Sequence, residues 1–224
     1  MKGGKIKSLL QRNLPQTIAT RGFFDNYPIH DFHIHANSAI ILGKSDHMWA
    51  HLISSSKLEL QHLLGHFYNK TKYYYSVEEW MIPHILEYGD SDWTMKTRRY
   101  ILPDSVAVPN TKQKTSPLLI KEEHHIFNHS DYRKYTSIGY IEDRLQKGVS
   151  AGIQMDDQLV AWGFTHDDGA LGFLHVLPEY RKQGLGEQVL LSLIHQRRAK
   201  NLPIFCNIVP DNLPSINLVK KLGV

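Results

Sequence analysis

One cysteine among 224 residues, Cys206, leaves the chain with no internal disulfide, and a reducing compartment is the economical expectation. Long apolar runs are missing too: nothing approaches the roughly 18–20 residues of a membrane span. The basic start, Met1 to Lys7, is followed by Gln11, Arg12, Asn13 and Pro15 rather than by the apolar core of a signal peptide. The expected location is therefore cytoplasmic. No charge of one sign dominates, since 26 Lys and Arg face 22 Asp and Glu for a net +4. The basic residues are scattered, which argues against a nucleic-acid footprint and suits at most a small anionic ligand. The 14 histidines spread along the chain instead of forming one metal-ligand cluster. No internal repeat is visible. With 42% hydrophobic and 21% charged residues, the composition is that of a globular chain with one large or two small domains.

What is present is an ordered set of parts from Gly169 to Gly186. Ala170 to Leu177 is an apolar, strand-compatible run, and Pro178 stops it by removing a backbone donor. Arg181 to Gly186 then supplies two glycines where the backbone can turn sharply and approach a ligand. From Leu185 the apolar residues recur at helical spacing through Val189, Leu193 and Ile194. A glycine-rich loop feeding a helix N-terminus aims amide hydrogens and a positive dipole end at one spot, which suits a phosphate or diphosphate. Alone, Gly-x-Gly before a helix also describes a plain turn; the order of parts is what raises it.

The run Val176-x-Pro178-x-x-Arg181-x-x-Gly184-x-Gly186 closely resembles the acyl-CoA signature of the GNAT superfamily of N-acyltransferases, whose loop follows Arg/Gln-x-x-Gly-x-Gly/Ala. A second match, Asn212-x-x-Ser215-x-x-Leu218, lies downstream and ends in Lys221-Leu222-Gly223. Leu177 to Arg181, with Trp162 and Gly169, looks most like the glycine N-acyltransferase-like (FR47-like) branch. The resemblance covers about one small domain, roughly the last hundred residues. It implies an α/β fold with a mixed sheet: a GNAT domain over 118–224, preceded by a smaller α/β domain over 1–117 that is itself a candidate degenerate relative and wall of the acceptor pocket.

The boundary is expected at Val108 to Pro117, where two prolines bracket a polar stretch that reads as a linker. Before it, strands are expected within Asp31–Leu42, turning at Gly43, and over Arg98–Leu102. Helices are expected within His47–Phe67, as two segments broken at Ser54-Ser55-Ser56, and from Val77 to Tyr88 with Ser76 as cap. After it, the pattern reads strand (Leu118–Ile120), helix (Tyr135–Gly148), three hairpin-linked strands (Ser150–Met155, Leu159–Thr165, Ala170–Leu177), helix (Leu185–Lys200), strand (Pro203–Val209) and helix (Pro214–Leu222). The family normally adds strands after that last helix, and this sequence stops at Val224. Some other segment must then cover the sheet edge, from the first domain or from a partner subunit as in a homodimer, unless the sequence is cut short.

The resemblance also implies a site. Leu174, His175 and Val176 fall where the family's strand offers backbone groups to the pantetheine arm. Lys182, Gln183, Gly184, Leu185 and Gly186 fall on the diphosphate, with Arg181 adding charge and Glu187 opening the helix. Asn212 and Ser215 match the asparagine near the pantetheine and the helix-start hydroxyl, although each residue type also serves turns and caps. The implied co-substrate is acetyl-CoA or another acyl-CoA, and the implied acceptor the amine of a small molecule or amino acid. Direct transfer needs amides for the developing oxyanion and a group that removes the amine proton.

Three positions depart from the family pattern: Ala170 and Asn207 stand where members carry a base, and Val219 where a tyrosine protonates the leaving thiolate. Asp168 and His166 are the available substitutes, on the face of Ala170 if the strand extends that far. A plain hairpin turn at Asp167-Asp168-Gly169 is the competing account, and a non-catalytic acyl-CoA-binding regulatory module the competing function. Asp31-x-His33-x-His35 resembles the metal strand of amidohydrolases, but the rest of such a site has no home in this length, so no catalytic metal is expected.

Overall fold

The run Ala39-Ile40-Ile41-Leu42 is apolar at every position, as a strand covered on both faces must be. That is its place in the computed structural model, which describes residues 2–223. The chain forms two compact units, Met1–Thr94 and Met95–Val224. In the first, helices α1 (Lys2–Arg12) and α2 (Leu14–Asn26) precede strands β1 (Ile29–His35), β2 (Ser38–Lys44) and β3 (Met48–Ile53), helix α3 (Lys57–Phe67) and a short strand β4 (Tyr73–Tyr75). The sheet order is β1-β2-β3-β4, antiparallel except for the parallel β3–β4 pair. Ile40 and Leu42 pack with Leu60, Leu63 and Leu64 of α3, while Ala39 and Ile41 pack on the other face with Ile6 and Leu9 of α1.

Several local expectations are corrected here. The hairpin turns at Ala36, whose φ is 48°, and not at Gly43. Gly43 lies inside β2, where a Cβ would meet the Phe23 ring at 2.5 Å and the Phe24 ring at 2.6 Å, so its smallness serves close packing. Met48–Ile53, expected as helix, is a strand, because its pairing partners Ala39–Lys44 lie alongside. Ser56, and not Ser76, caps a helix, accepting from the Glu59 amide. The expected Val77–Tyr88 helix shrinks to a 3₁₀ turn and helix α4 (Ile82–Leu86), with Pro83 in its first turn.

In the second unit, β5 (Arg98–Leu102) is followed by helices α5 (Glu123–Asn128) and α6 (Ile138–Lys147), the meander β6 (Ser150–Met155), β7 (Gln158–Thr165) and β8 (Leu171–Val176), then α7 (Leu185–Ala199), β9 (Ile204–Ile208) and α8 (Leu213–Lys221). Ser137 caps α6, accepting from the Tyr140 amide. Leu118–Ile120 forms no strand; a bridge from Ser116 to Gly152 touches the sheet just before it, and the Leu118 amide bonds the Ser150 hydroxyl at 3.0 Å. The meander is antiparallel in the order β6-β7-β8, and α7 covers one face with Val189, Leu190 and Leu193 buried.

The division between Thr94 and Met95 comes earlier than the boundary expected at Pro117. The reason is β5, which pairs antiparallel with β9 from Arg98↔Ile208 to Leu102↔Ile204 and so covers that strand edge. The stretch 108–117 is no free linker either. Gln188 accepts from the Lys112 amide at 2.6 Å, Thr115 bonds Ser192 at 2.8 Å, and His195 lies 2.9 Å from the Pro109 carbonyl, all along α7.

Candidate functional site

Two loop residues before α7 adopt left-handed backbone, Lys182 at φ 62° and Gly184 at φ 81°. Together they wind the chain so that successive amides converge ahead of the helix. Among the described residues, no hydrogen bond engages the amides of Lys182, Gln183, Gly184, Leu185 or Gly186, whereas those of Glu187 and Gln188 are bonded to the Gly184 carbonyl. The loop fronts a cleft of about 330 Å³ lined by Val176, Tyr180, Arg181, Lys182, Gly184 to Glu187, Pro214 and Leu218. A Cβ on Gly184 would meet nothing within 4 Å, and one on Gly186 would reach only Val176 at 3.5 Å and Leu218 at 4.0 Å. The missing side chains therefore leave room in front of the free amides.

The second component is β8. Among the described residues no ladder joins it to β9, which belongs instead to the two-stranded β5–β9 sheet. The Leu177 amide bonds the Val160 carbonyl at 2.9 Å, and this sets the alternation of the β7–β8 ladder. His175, opposite Trp162, spends its backbone on β7, while Val176 and, across the bulge, Leu174 turn theirs away from β7 toward the unpaired side. Phe173 in the bulge has φ 48°. The Val176 carbonyl accepts from Arg181 Nε at 3.0 Å, so the arginine is tied to the strand that opens the cleft.

The expected positions thus divide. Val176, Arg181, Lys182, Gly184, Leu185, Gly186 and Glu187 line one cleft. Leu174 sits one backbone repeat further along the same edge, with its side chain on the α7 face near Gly163. His175 projects to the other face, stacked on Trp162 at 4.7 Å, and burial lowers its pKa, with Arg181, His129 and His125 adding to the effect and Asp131 opposing it. Gln183 is exposed outside the cleft lining. Glu187 pairs with Lys221 at 2.5 Å. Asn212 accepts from the Ser215 amide at 3.2 Å, the capping role its residue type also allows. Tyr180, Pro214 and Leu218 were not singled out as lining, although all three stand within or beside the two matched motifs.

The two residues expected to move a proton lie outside the cleft lining. β7 ends at Thr165 and β8 begins at Leu171, so no strand carries Asp168 onto the face of Ala170; residues 166–170 form a turn closed by the His166 amide on the Ala170 carbonyl. Asp168 is fully buried, accepting from the Ala170 amide at 2.8 Å and from Asn207 at 3.4 Å. Asn207 in turn accepts from Arg99 Nε at 3.1 Å, opposite it on β5. His166 packs over Gly172 and Phe173, with Nδ1 3.4 Å from the Tyr140 hydroxyl; burial pushes its pKa down, Asp167 opposing and Arg144 adding. Tyr140 is held well above its ordinary range by burial and then by Asp167. Cys206 is buried, and its thiol is pushed up to about 12, so it is no nucleophile at neutral pH.

Residues 148–224 match the family model of the FR47-like proteins. Solved structures resemble the chain over nearly its whole length. A Drosophila protein is 18% identical with a TM-score of 0.79, over 98% of this chain and 92% of its own. A GNAT-family acetyltransferase from Colwellia psychrerythraea is 12% identical with a TM-score of 0.52, over 95% and 93%. A tandem GNAT protein from the clavulanic acid biosynthesis pathway is 11% identical with a TM-score of 0.51, over 98% and 90%. The fold is that of the GNAT superfamily, with an FR47-like C-terminal segment.

Proposed function

We propose that this GNAT-fold chain of the FR47-like branch is an acyl-CoA-dependent N-acyltransferase that moves an acetyl or other acyl group to the amine of a small molecule or amino acid by direct attack. One observation carries the reading. Five free amides at the head of α7, Lys182 to Gly186, share a cleft with the unpaired edge of β8. A diphosphate fits the first, and an extended amide-bearing chain fits the second by bonding the backbone of Leu174 and Val176 as a neighbouring strand would. Arg181 and Lys182 add positive charge at the mouth, and Lys221 offsets Glu187.

The thioester supplies the activated acyl group when the co-substrate is bound. The chain's own part is to hold it and to place donors beside it: the outward amides of Leu174 and Val176 are the nearest candidates for a developing oxyanion. An acyl-cysteine route has no support, because the only thiol is buried and strongly basic. Of the two proton-taking candidates we favour Asp168, which Asn207 ties to β9, over His166, which lies against the Tyr140 hydroxyl. A cytoplasmic setting accords with a single unpaired cysteine. The span matched by the tandem protein includes the first unit, which supports reading that unit as a degenerate GNAT-like module.

The regulatory-module reading draws on a specific feature: Ala170 and Val219 are buried apolar residues, and Asn207 an amide, where family members carry base and acid. Thiol release from acetyl-CoA across an amine panel separates the two. Acceptor-dependent release supports transfer. Tight CoA binding with no release for any amine refutes it and leaves the module.

A further inference from the structure

Away from the cleft, the first unit gathers four histidines. β1 presents His33 and His35 two residues apart, on one face. α3 presents His62 and His66 four residues apart, also on one face. Packing of α3 against β1 sets the pairs against each other. Ring centroids are 4.6 Å apart for His33–His66, 5.6 Å for His33–His62, 4.6 Å for His62–His66 and 3.8 Å for His35–His62. One nitrogen from each of His33, His62 and His66 lies within 4.8 Å of the other two. His66 Nδ1 sits 2.9 Å from the His62 carbonyl, an N–H bond that leaves Nε2 with its lone pair free. Fixing one ring nitrogen on a carbonyl so that the other can ligate is the usual arrangement of a metal-binding histidine.

Asp31, on the same face of β1, is bound to Lys70 at 2.5 Å and is engaged elsewhere. The donor set is thus imidazole with no oxygen, which disfavours Mg²⁺ and Ca²⁺ and suits a borderline divalent ion. Nitrogens around a tetrahedral Zn²⁺ stand about 3.3 Å apart, as Zn–N bonds of about 2.0–2.1 Å require. The rings are half-buried or exposed, so side-chain rotation is the movement that would close the remaining distance. We propose that His33, His62 and His66 form a Zn²⁺ site that clips α3 to the edge strand β1, with His35 bordering the fourth position.

The test uses the untagged full-length chain, stripped with a chelator. Zn²⁺ is titrated by calorimetry, and Co²⁺ by visible absorption as a report on ligand geometry. The expected result is one equivalent bound at micromolar affinity or tighter, with tetrahedral Co²⁺ bands. His62→Gln and His66→Gln, both at exposed positions of α3 that folding does not depend on, should each weaken binding roughly 10–100-fold, at least the cost of losing a supporting partner. His124→Gln, remote from the cluster in sequence and in the other unit, should leave it unchanged. Circular dichroism confirms that each variant is folded. Millimolar binding only, or equal effects of His124→Gln and His66→Gln, would overturn the proposal, and so would a folded His62→Gln/His66→Gln double variant that still binds one equivalent at wild-type affinity.

Discussion

Substituting Gly186 separates binding from folding more cleanly than any other change in the cleft. The Cβ of an alanine there meets Val176 at 3.5 Å and Leu218 at 4.0 Å, ordinary contacts that need no rearrangement. Gly186 also lies in the first turn of α7, where alanine is favoured over glycine by about 0.5–1 kcal/mol. Gly186→Ala should therefore unfold at or slightly above the wild-type temperature, a rise of roughly 2–4 °C for a unit of this size. Gly186→Val recovers only a few tenths of a kcal/mol of helix propensity and stays near wild type in stability. Its branched methyls, blocked by Val176 and Leu218 on one side, must occupy the cleft in front of the Leu185 and Gly186 amides. Losing one hydrogen bond to a charged phosphate costs about 1.5–3 kcal/mol, or roughly 10–100-fold in affinity. Calorimetric titration with CoA, paired with thermal unfolding of the free protein, reads both quantities. The order expected is wild type close to Gly186→Ala, with Gly186→Val at least tenfold weaker and still fully folded. If the valine variant folds and binds CoA within about threefold of wild type, well under 1.4 kcal/mol, the loop amides do not hold the phosphates.

Lys182→Gly removes a charge yet relieves a left-handed residue, so the free protein should be as stable or up to about 1 kcal/mol more stable, while CoA binding weakens and loses salt dependence. Equal salt dependence in both proteins would remove Lys182 from the site. Asp168→Asn should cut the steady-state rate by about a hundredfold while CoA affinity stays within about threefold, if this carboxylate takes the amine proton; an unchanged rate in a folded variant refutes the assignment. His51 is buried among Phe23, Phe24 and Tyr75, and burial lowers its pKa from 6.5 to about 3. The native ring is neutral and the unfolded one protonates below 6.5, so the first unit loses stability as pH falls from there toward 3, by at most about 1.4 kcal/mol per pH unit. Urea unfolding at pH 7 and pH 5 should show a smaller loss for His51→Leu than for wild type, and an identical loss would exclude His51 as the cause.

The parts of the site that could be read along the chain are those whose conformation is set by near neighbours. The stop at Pro178, the left-handed turn at Gly184 and the apolar stripe from Leu185 each depend on a few adjacent residues, and β8, the loop and α7 follow in the expected order. Where the partner is distant, the pattern was ambiguous. Met48–Ile53 carries apolar residues compatible with either period, and only the presence of β2 alongside makes it a strand. Arg98–Leu102 reads as a strand by itself, but nothing local says that Ile204–Ile208 is its partner or that it thereby belongs to the second unit. The alternation argument for Asp168 failed because the turn at 166–170 intervenes before β8.

Residue order alone thus determined that a glycine-bearing loop meets a helix start after an apolar strand, since backbone freedom, proline and helical spacing act over a few residues. Only the tertiary structure decided which amides and strand edges stay unpaired. It also decided that His33 meets His62 and His66, and that Asp168 reaches Asn207. Those are facts about long-range neighbours, and the energy that selects them comes from packing two faces of a sheet, which no local window contains.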